Sequence, residues 1–330
     1  MADVVALGEL LIDFTQISSD DGGYPTLEAH PGGAPGNFLA ALAKYGIKTA
    51  LIGKVGRDQF GDMLCRTLKE AGISTAGLIR SPEVFTTLAF VTLDPQGERS
   101  FSFARKPGAD TCLTFEEVDL DLIDQARAFH FGTLSLTHDP AKTATVRAVE
   151  YAKIRGKLMS FDPNLRKPLW DDLDRARNEM LWGISRAHVV KLSDEEVDFL
   201  WGCNAEEGAN RLIEEYGVRM AMVTMGGRGC YLKNKVASCR IAPPPVTALD
   251  TTGAGDIFGG SALSGILEMD RDPAFLNELE LQAVGFFAST AASLSTTRRG
   301  GLTSVPDRAE VVAHMRGCRI AAPLEFGEEL

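Results

Sequence analysis

The chain has 330 residues, 45% of them hydrophobic and 24% charged, with 33 glycines and 15 prolines. That is ordinary globular usage, which excludes a disordered or collagen-like chain and allows two domains or one large α/β unit with a sizeable core. A net charge of −11 argues against a diffuse electrostatic grip on nucleic acid, so any phosphate must be gripped locally.

In chain order, Val4 to Leu7 is a short apolar run that stops at Gly8, the pattern of a strand buried on both faces. Asp13 is expected at the carboxyl end of this first strand, where open α/β sheets bind ligands. Residues about 14 to 33 are rich in Ser, Asp, Gly and Pro and lack helical periodicity. Phe38, Ala41, Leu42 and Tyr45 fall at i, i+3, i+4 and i+7, which predicts a helix with one apolar face. Thr49 to Gly53 repeats the first strand pattern.

Leu88 to Leu93, a Pro95-Gln96-Gly97 turn and Glu98 to Phe103 read as an antiparallel hairpin. Lys157 to Phe161, Val189 to Leu192 and Met220 to Thr224 are further strands, each followed by a turn and a helical pattern. This alternation predicts an α/β fold: a mostly parallel central sheet flanked by helices on both faces. The expected body comprises residues 1–13, 34–86 and 111–330, and residues 14–33 and 87–110 form a discontinuous small β lid.

The six cysteines contain no CxxC pair and are too sparse for a disulfide framework. No stretch approaches eighteen uninterrupted apolar residues, and the N-terminus lacks a basic region followed by a long apolar run. A soluble cytoplasmic protein without membrane or nucleic-acid partners is the expectation. The five histidines show no metal-ligand spacing and read as surface or packing residues.

The most informative segment is Asp250-Thr251-Thr252-Gly253-Ala254-Gly255-Asp256, which follows a Pro243-Pro244-Pro245 break and runs into an apolar helix ending near Leu267. Small residues at a helix mouth let backbone N–H groups converge on an oxyanion, so Gly253, Ala254 and Gly255 form a candidate anion hole. Asp256 at that positive end would repel a phosphate if binding were its only task, yet it suits a base that must stay charged and take a proton. The same pattern also fits an Asp that caps a helix behind a glycine turn. A Rossmann fingerprint fits poorly, because the spacing is GxGxxxG and lies far from the first βα turn, and no Walker A loop is present.

Gly32-Gly33-Ala34-Pro35-Gly36-Asn37 opens the first helix. Paired glycines permit close approach to a ligand and Asn37 offers a donor and an acceptor, although a turn with an Asn cap accounts for the same residues.

Gly32 to Asn37, with Gly46, Gly53-Lys54-Val55-Gly56-Arg57-Asp58 and Phe60-Gly61, resembles the N-terminal signature of the ribokinase-type carbohydrate kinase family. Asp250 to Gly260 resembles its C-terminal signature, and the likeness spans essentially the whole chain. Glu9, Asp13, Arg105, His130 to Leu136 and Phe161-Asp162-Pro163-Asn164-Leu165-Arg166 with Pro168-Leu169-Trp170 are similar to the fructokinase branch.

The resemblance implies a ribokinase-like fold and transfer of the γ-phosphoryl group of MgATP to a sugar, with fructose the first candidate. It implies that Asp13, Gly32, Gly33 and Asn37 hold sugar hydroxyls, with Arg105 and Asn164 nearby, and that Asp256 is the base. Arg105 has an alternative reading as a solvated charge, and Asp162-Pro163-Asn164 as an ordinary turn.

On the nucleotide side, Thr224, Gly226 and Gly229 resemble the family's Thr-x-Gly-x-x-Gly loop, and Lys191 to Glu196 its Asn-x-x-Glu motif, with Ser193 in place of Asn. Glu196 would organise Mg²⁺ through water, Lys191 would lie at the nucleotide, and Ser289 stands where many relatives carry Asn near the adenine. Asp250, Thr252, Gly300 and Ser304 match positions that surround a monovalent cation such as K⁺. Arg298-Arg299 is open to two readings, nucleotide phosphate contact or a solvated turn. Family members often dimerise through the lid, which implies a homodimer. Two alternatives stay open: a kinase for 2-keto-3-deoxygluconate, ribose or a nucleoside, and a catalytically silent sugar- or nucleotide-binding member.

Overall fold

The computed structural model describes residues 1–93 and 99–318. Its strands in chain order are β1 (Val4–Leu7), β2 (Leu11–Ser19), β3 (Pro25–Gly32), β4 (Thr49–Gly56), β5 (Ile73–Ser74), β6 (Leu78–Ser81) and β7 (Leu88–Leu93). They continue with β8 (Arg99–Ala104), β9 (Ala128–Phe131), β10 (Leu158–Phe161), β11 (Val189–Ser193), β12 (Met220–Thr224), β13 (Cys230–Asn234) and β14 (Ser238–Ile241). The large sheet has the order β14-β13-β12-β11-β10-β9-β1-β4-β5, with β6 also paired to β4. From β12 to β5 every pairing is parallel, and β13 and β14 add an antiparallel edge.

All four residues of β1 are buried because helices cover both faces, which explains the continuous apolar run. One core cluster joins Leu39, Leu42, Ile257, Leu263 and Phe287, and a second joins Phe129, Phe131, Phe161, Val190 and Val223. β1 lies between β4 and β9, so successive crossovers leave it in opposite directions. A crevice opens at the carboxyl ends of the strands at such a switch point. Gly8, Gly132, Asp162 and the end of β12 all fall along that edge.

The second sheet has the order β3-β2-β7-β8, with β2 parallel to β7 and the outer pairs antiparallel. Phe14 of β2 stacks on Phe90 of β7 at 5.3 Å and meets Phe60 of the Gln59–Glu70 helix edge-on at 5.5 Å, which ties this sheet to the helical layer. Three expectations shift here, the first being that Met220 to Thr224 leads not into a helical pattern but into the antiparallel strands β13 and β14, because the chain doubles back to finish the sheet edge. Asp13 does not end the first strand: β1 stops at Leu7, and Asp13 is the third residue of β2 in the smaller sheet. Strand β10 begins at Leu158 rather than Lys157, whose amide continues the preceding turn to the Ala152 carbonyl. The Pro95-Gln96-Gly97 turn and Glu98 lie outside the described residues. Among the described residues no helix is long and apolar enough to cross a membrane.

Candidate active site

Two cavities meet at the start of the Ala254–Met269 helix. The first, about 160 Å³, lies between the two sheets and is walled by Glu9, Asp13, Gly33, Asn37, Asn164, Arg166 and Asp256 among others. The second, about 610 Å³, is walled by Thr224, Gly226, Gly229, Pro243 to Pro245, Ala254, Gly255 and Ser289 among others. Thr251 belongs to both walls, so the helix mouth forms the partition.

Asp256 stands in the first helical turn, buried, and accepts a hydrogen bond of 2.8 Å from Asn37 Nδ2. Its side chain does not cap the helix: the cap position is Gly253, which has no side chain to offer and adopts φ +76. The amides of Gly255 and Asp256 carry no acceptor among the described residues, as expected for a first turn, whereas that of Ala254 turns to the Thr251 carbonyl at 3.3 Å. Burial raises the Asp256 carboxyl above its ordinary range, opposed by the Asn37 bond and then by the charges of Lys191 and Arg166.

The acidic wall of the smaller cavity is built by close packing. Glu9 Oε1 accepts the Ala34 amide at 2.9 Å at the start of the Ala34–Lys44 helix, and burial lifts its carboxyl to about 7. Burial likewise lifts Asp13 to about 6, against the pull of Arg166. A Cβ on Gly33, at φ +114, would come within 2.6 Å of the Glu9 carbonyl oxygen. Gly33→Ala is therefore expected to cost about 1–3 kcal/mol of stability, measurable by denaturant titration. Asn164 also reaches this wall, from a left-handed turn at φ +48 that its amide closes on Asp162 Oδ1 at 3.1 Å.

The remaining candidates sort by position. Arg105 lies outside both walls: buried, it bonds Asp110 at 2.8 Å, Thr137 Oγ1 at 2.8 Å and the Leu134 carbonyl at 2.9 Å. Lys191 also lines neither cavity and pairs with Asp162 at 3.1 Å. Ser193 caps the Asp194–Trp201 helix in a reciprocal capping box with Glu196, so serine does the capping work there. Glu196 further accepts the Leu165 amide at 2.8 Å.

Asp250 gathers two loops, accepting the Thr252 amide at 3.0 Å and hydroxyl at 2.7 Å and the Gly300 amide at 3.0 Å. The Ser304 hydroxyl donates to the Gly301 carbonyl beside them at 2.8 Å. Ser289 meets Cys230 Sγ at 3.3 Å in the wall of the larger cavity. Arg298 pairs with Glu310, and His130 packs flat on Phe38 at 3.7 Å. Among the described residues no group of three or more His, Cys, Asp or Glu side chains could hold a metal.

Glu9, Thr251 and Arg166 join the wall without being among the expected site residues, although Glu9 and Arg166 lie inside motifs that resemble the family. Thr251 had only its place beside the candidate anion hole as a signal. The arrangement sets a buried carboxylate over a small cavity and the open amide of Gly255 beside a larger cleft, which suits proton removal from an alcohol with charge stabilisation next to it.

The pfkB family carbohydrate kinase profile matches residues 1–308. The chain is 38% identical over 320 residues to the probable fructokinase-4 of Arabidopsis thaliana, covering 95% of this chain and 97% of that one. Its structure aligns with that of a fructokinase with bound ATP from Xylella fastidiosa, with a TM-score of 0.86 and 30% identity over 96% of this chain and 99% of that chain. It aligns also with a double-mutant fructokinase from Vibrio cholerae O395 bound to fructose, ADP and potassium ion, at a TM-score of 0.83 and 30% identity over 95% and 98% of the two chains. Fold and site together define a sugar phosphotransferase. The chain belongs to the pfkB family of carbohydrate kinases, and the expected ribokinase-like α/β architecture is the one found.

Proposed function

We propose that the protein is an ATP-dependent fructokinase that forms fructose 6-phosphate, with Asp256 as general base. The observation that carries this reading is the shared wall: Asp256 lines the smaller cavity and Gly255 the larger one, as consecutive residues of a single helical turn. Fructose occupies the smaller cavity, its hydroxyls held by Asp13, Gly32, Gly33, Asn37 and Asn164, with Arg166 opposite the acidic groups. The adenine and ribose of ATP lie in the larger cleft, against Ser289 and the Thr224 to Gly229 loop. Asp256 takes the proton of the primary hydroxyl as the hydroxyl oxygen attacks the γ-phosphorus, whose bond to the β,γ-bridging oxygen breaks to release ADP. The N–H groups of the first helical turn stabilise the charge on the transferring oxygens. The smaller sheet acts as a lid that keeps water from competing for the phosphoryl group.

The donor set fits Mg²⁺, which takes few protein ligands and keeps waters beside nucleotide phosphates. Glu196, buried with each oxygen already accepting one amide, would hold it through water. Mg²⁺ supplies charge neutralisation on the phosphates. Backbone carbonyls of the loops that Asp250 joins would hold K⁺, with Thr252, Gly300 and Ser304 alongside. Ile17 and Tyr24 stand exposed on the lid sheet or its turn, which supports a homodimer formed through the lid.

A panel of acceptors at sub-saturating concentration, with ADP release as the signal, tests the substrate. Fructose is expected to give the highest initial rate, and a higher rate with 2-keto-3-deoxygluconate, ribose or a nucleoside would replace it. No ADP release with any of them would point to a silent binding protein.

A further inference from the structure

Lys191 occupies a place that neither cavity explains. It lies on β11, 7% exposed, with Nζ 3.1 Å from Asp162 Oδ2. A Cβ on Gly255 would come within 3.0 Å of that same nitrogen. The ammonium therefore rests against the backbone of the first helical turn, behind the amides that face the larger cleft. A buried ion pair gives a fold little net stability over apolar side chains of similar volume, so stability alone does not account for it.

The groups that face Lys191 are Asp162 after β10, Glu196 on the Asp194–Trp201 helix, Asp256 on the Ala254–Met269 helix and His130 on β9. His130 is neutral, since burial pushes it down to about 3. Asp256 is faced in turn by Asn37, Lys191, Arg166, Glu196, Asp162 and Asp13. Carboxylates outnumber cations around it, so each cation weighs heavily on its charge state.

We propose that Lys191 is a positioning residue for phosphoryl transfer: fixed by Asp162 behind Gly255, its ammonium adds positive potential to the helix mouth and keeps the Asp256 carboxylate ionised, without touching sugar or nucleotide. This rests on the kinase reading above. Direct donors to a developing oxyanion are worth about 10²–10³ in rate, so a charge acting from behind them is expected to be worth about tenfold.

The test compares Lys191→Met with the double variant Lys191→Met/Asp162→Asn. The double variant leaves no orphaned buried charge and keeps an oxygen for the Asn164 amide, so it answers the question if the single variant fails to fold. In both, kcat is expected to fall about tenfold while KM for fructose and for MgATP stays within about threefold. In the single variant, loss of the cation lets the Asp256 pKa rise, so the acid limb of kcat/KM moves to higher pH, whereas in the double variant the lost Asp162 carboxylate offsets that shift. Retention of ADP by fructose and aluminium fluoride weakens, whereas binding of ADP alone does not. A rise in KM for MgATP at unchanged kcat would show direct nucleotide contact and overturn the proposal. So would an unmoved acid limb in the single variant, or a double variant with the parent's kcat. Absence of sugar phosphorylation by the unaltered protein would instead overturn the kinase reading itself.

Discussion

Asp256→Asn is expected to lower kcat by about 10²–10⁴ while leaving the affinity for fructose largely intact. The substitution is nearly isosteric, and the new amide oxygen can still accept the 2.8 Å bond from Asn37, so the wall of the smaller cavity keeps its shape. What disappears is the only proton acceptor that stands both in that wall and in the first turn of the helix. The pH profile of the unaltered protein should carry the same signature. A base must be deprotonated to act, so activity falls as pH drops through its pKa. Burial raises that pKa, which places the acid limb above the 3.8 of an ordinary aspartate. Coupled measurement of ADP release across pH, beside calorimetric titration of fructose into the variant, checks both points. Turnover near that of the parent would remove Asp256 from the role of base.

Arg105→Ala is expected to destabilise the fold by about 3–5 kcal/mol, because it strands the buried carboxylate of Asp110. Both partners are nearly inaccessible, at 4% and 5% exposed, and the guanidinium also holds Thr137 and the Leu134 carbonyl. Among the described residues, Asp110 would then keep its hydrogen bond from the Thr87 hydroxyl alone. Urea titration of the purified variant measures the loss. Unchanged stability combined with a raised fructose KM would return Arg105 to the sugar site suggested by the family likeness.

These two residues show what a motif conveys and what it omits. Both sit in segments that resemble the family, and both were assigned to the site. Asp256 faces a cavity because the Ala254–Met269 helix packs its apolar residues into the core and leaves its first turn at the cavity wall. Arg105 follows the end of β8, and its direction depended on a partner five residues later and on a carbonyl of the segment after β9, none of which periodicity encodes. Lys191 tells the same story from the nucleotide side. Its place on a strand was legible, yet which side of the helix mouth it would occupy was not.

From its order of residues alone this chain determined the strand–helix alternation, the glycine-framed helix mouth before Asp256 and the Gly32 to Asn37 turn, since each depends on local periodicity and on backbone conformations that neighbouring residues permit. The tertiary structure alone decided that Asn37 grips Asp256 across 219 positions, that Asp13 rides on the smaller sheet, and that Arg166 joins the cavity. Contacts of that range are set by how whole layers pack, and packing depends on the sum of many side-chain volumes that no short window contains.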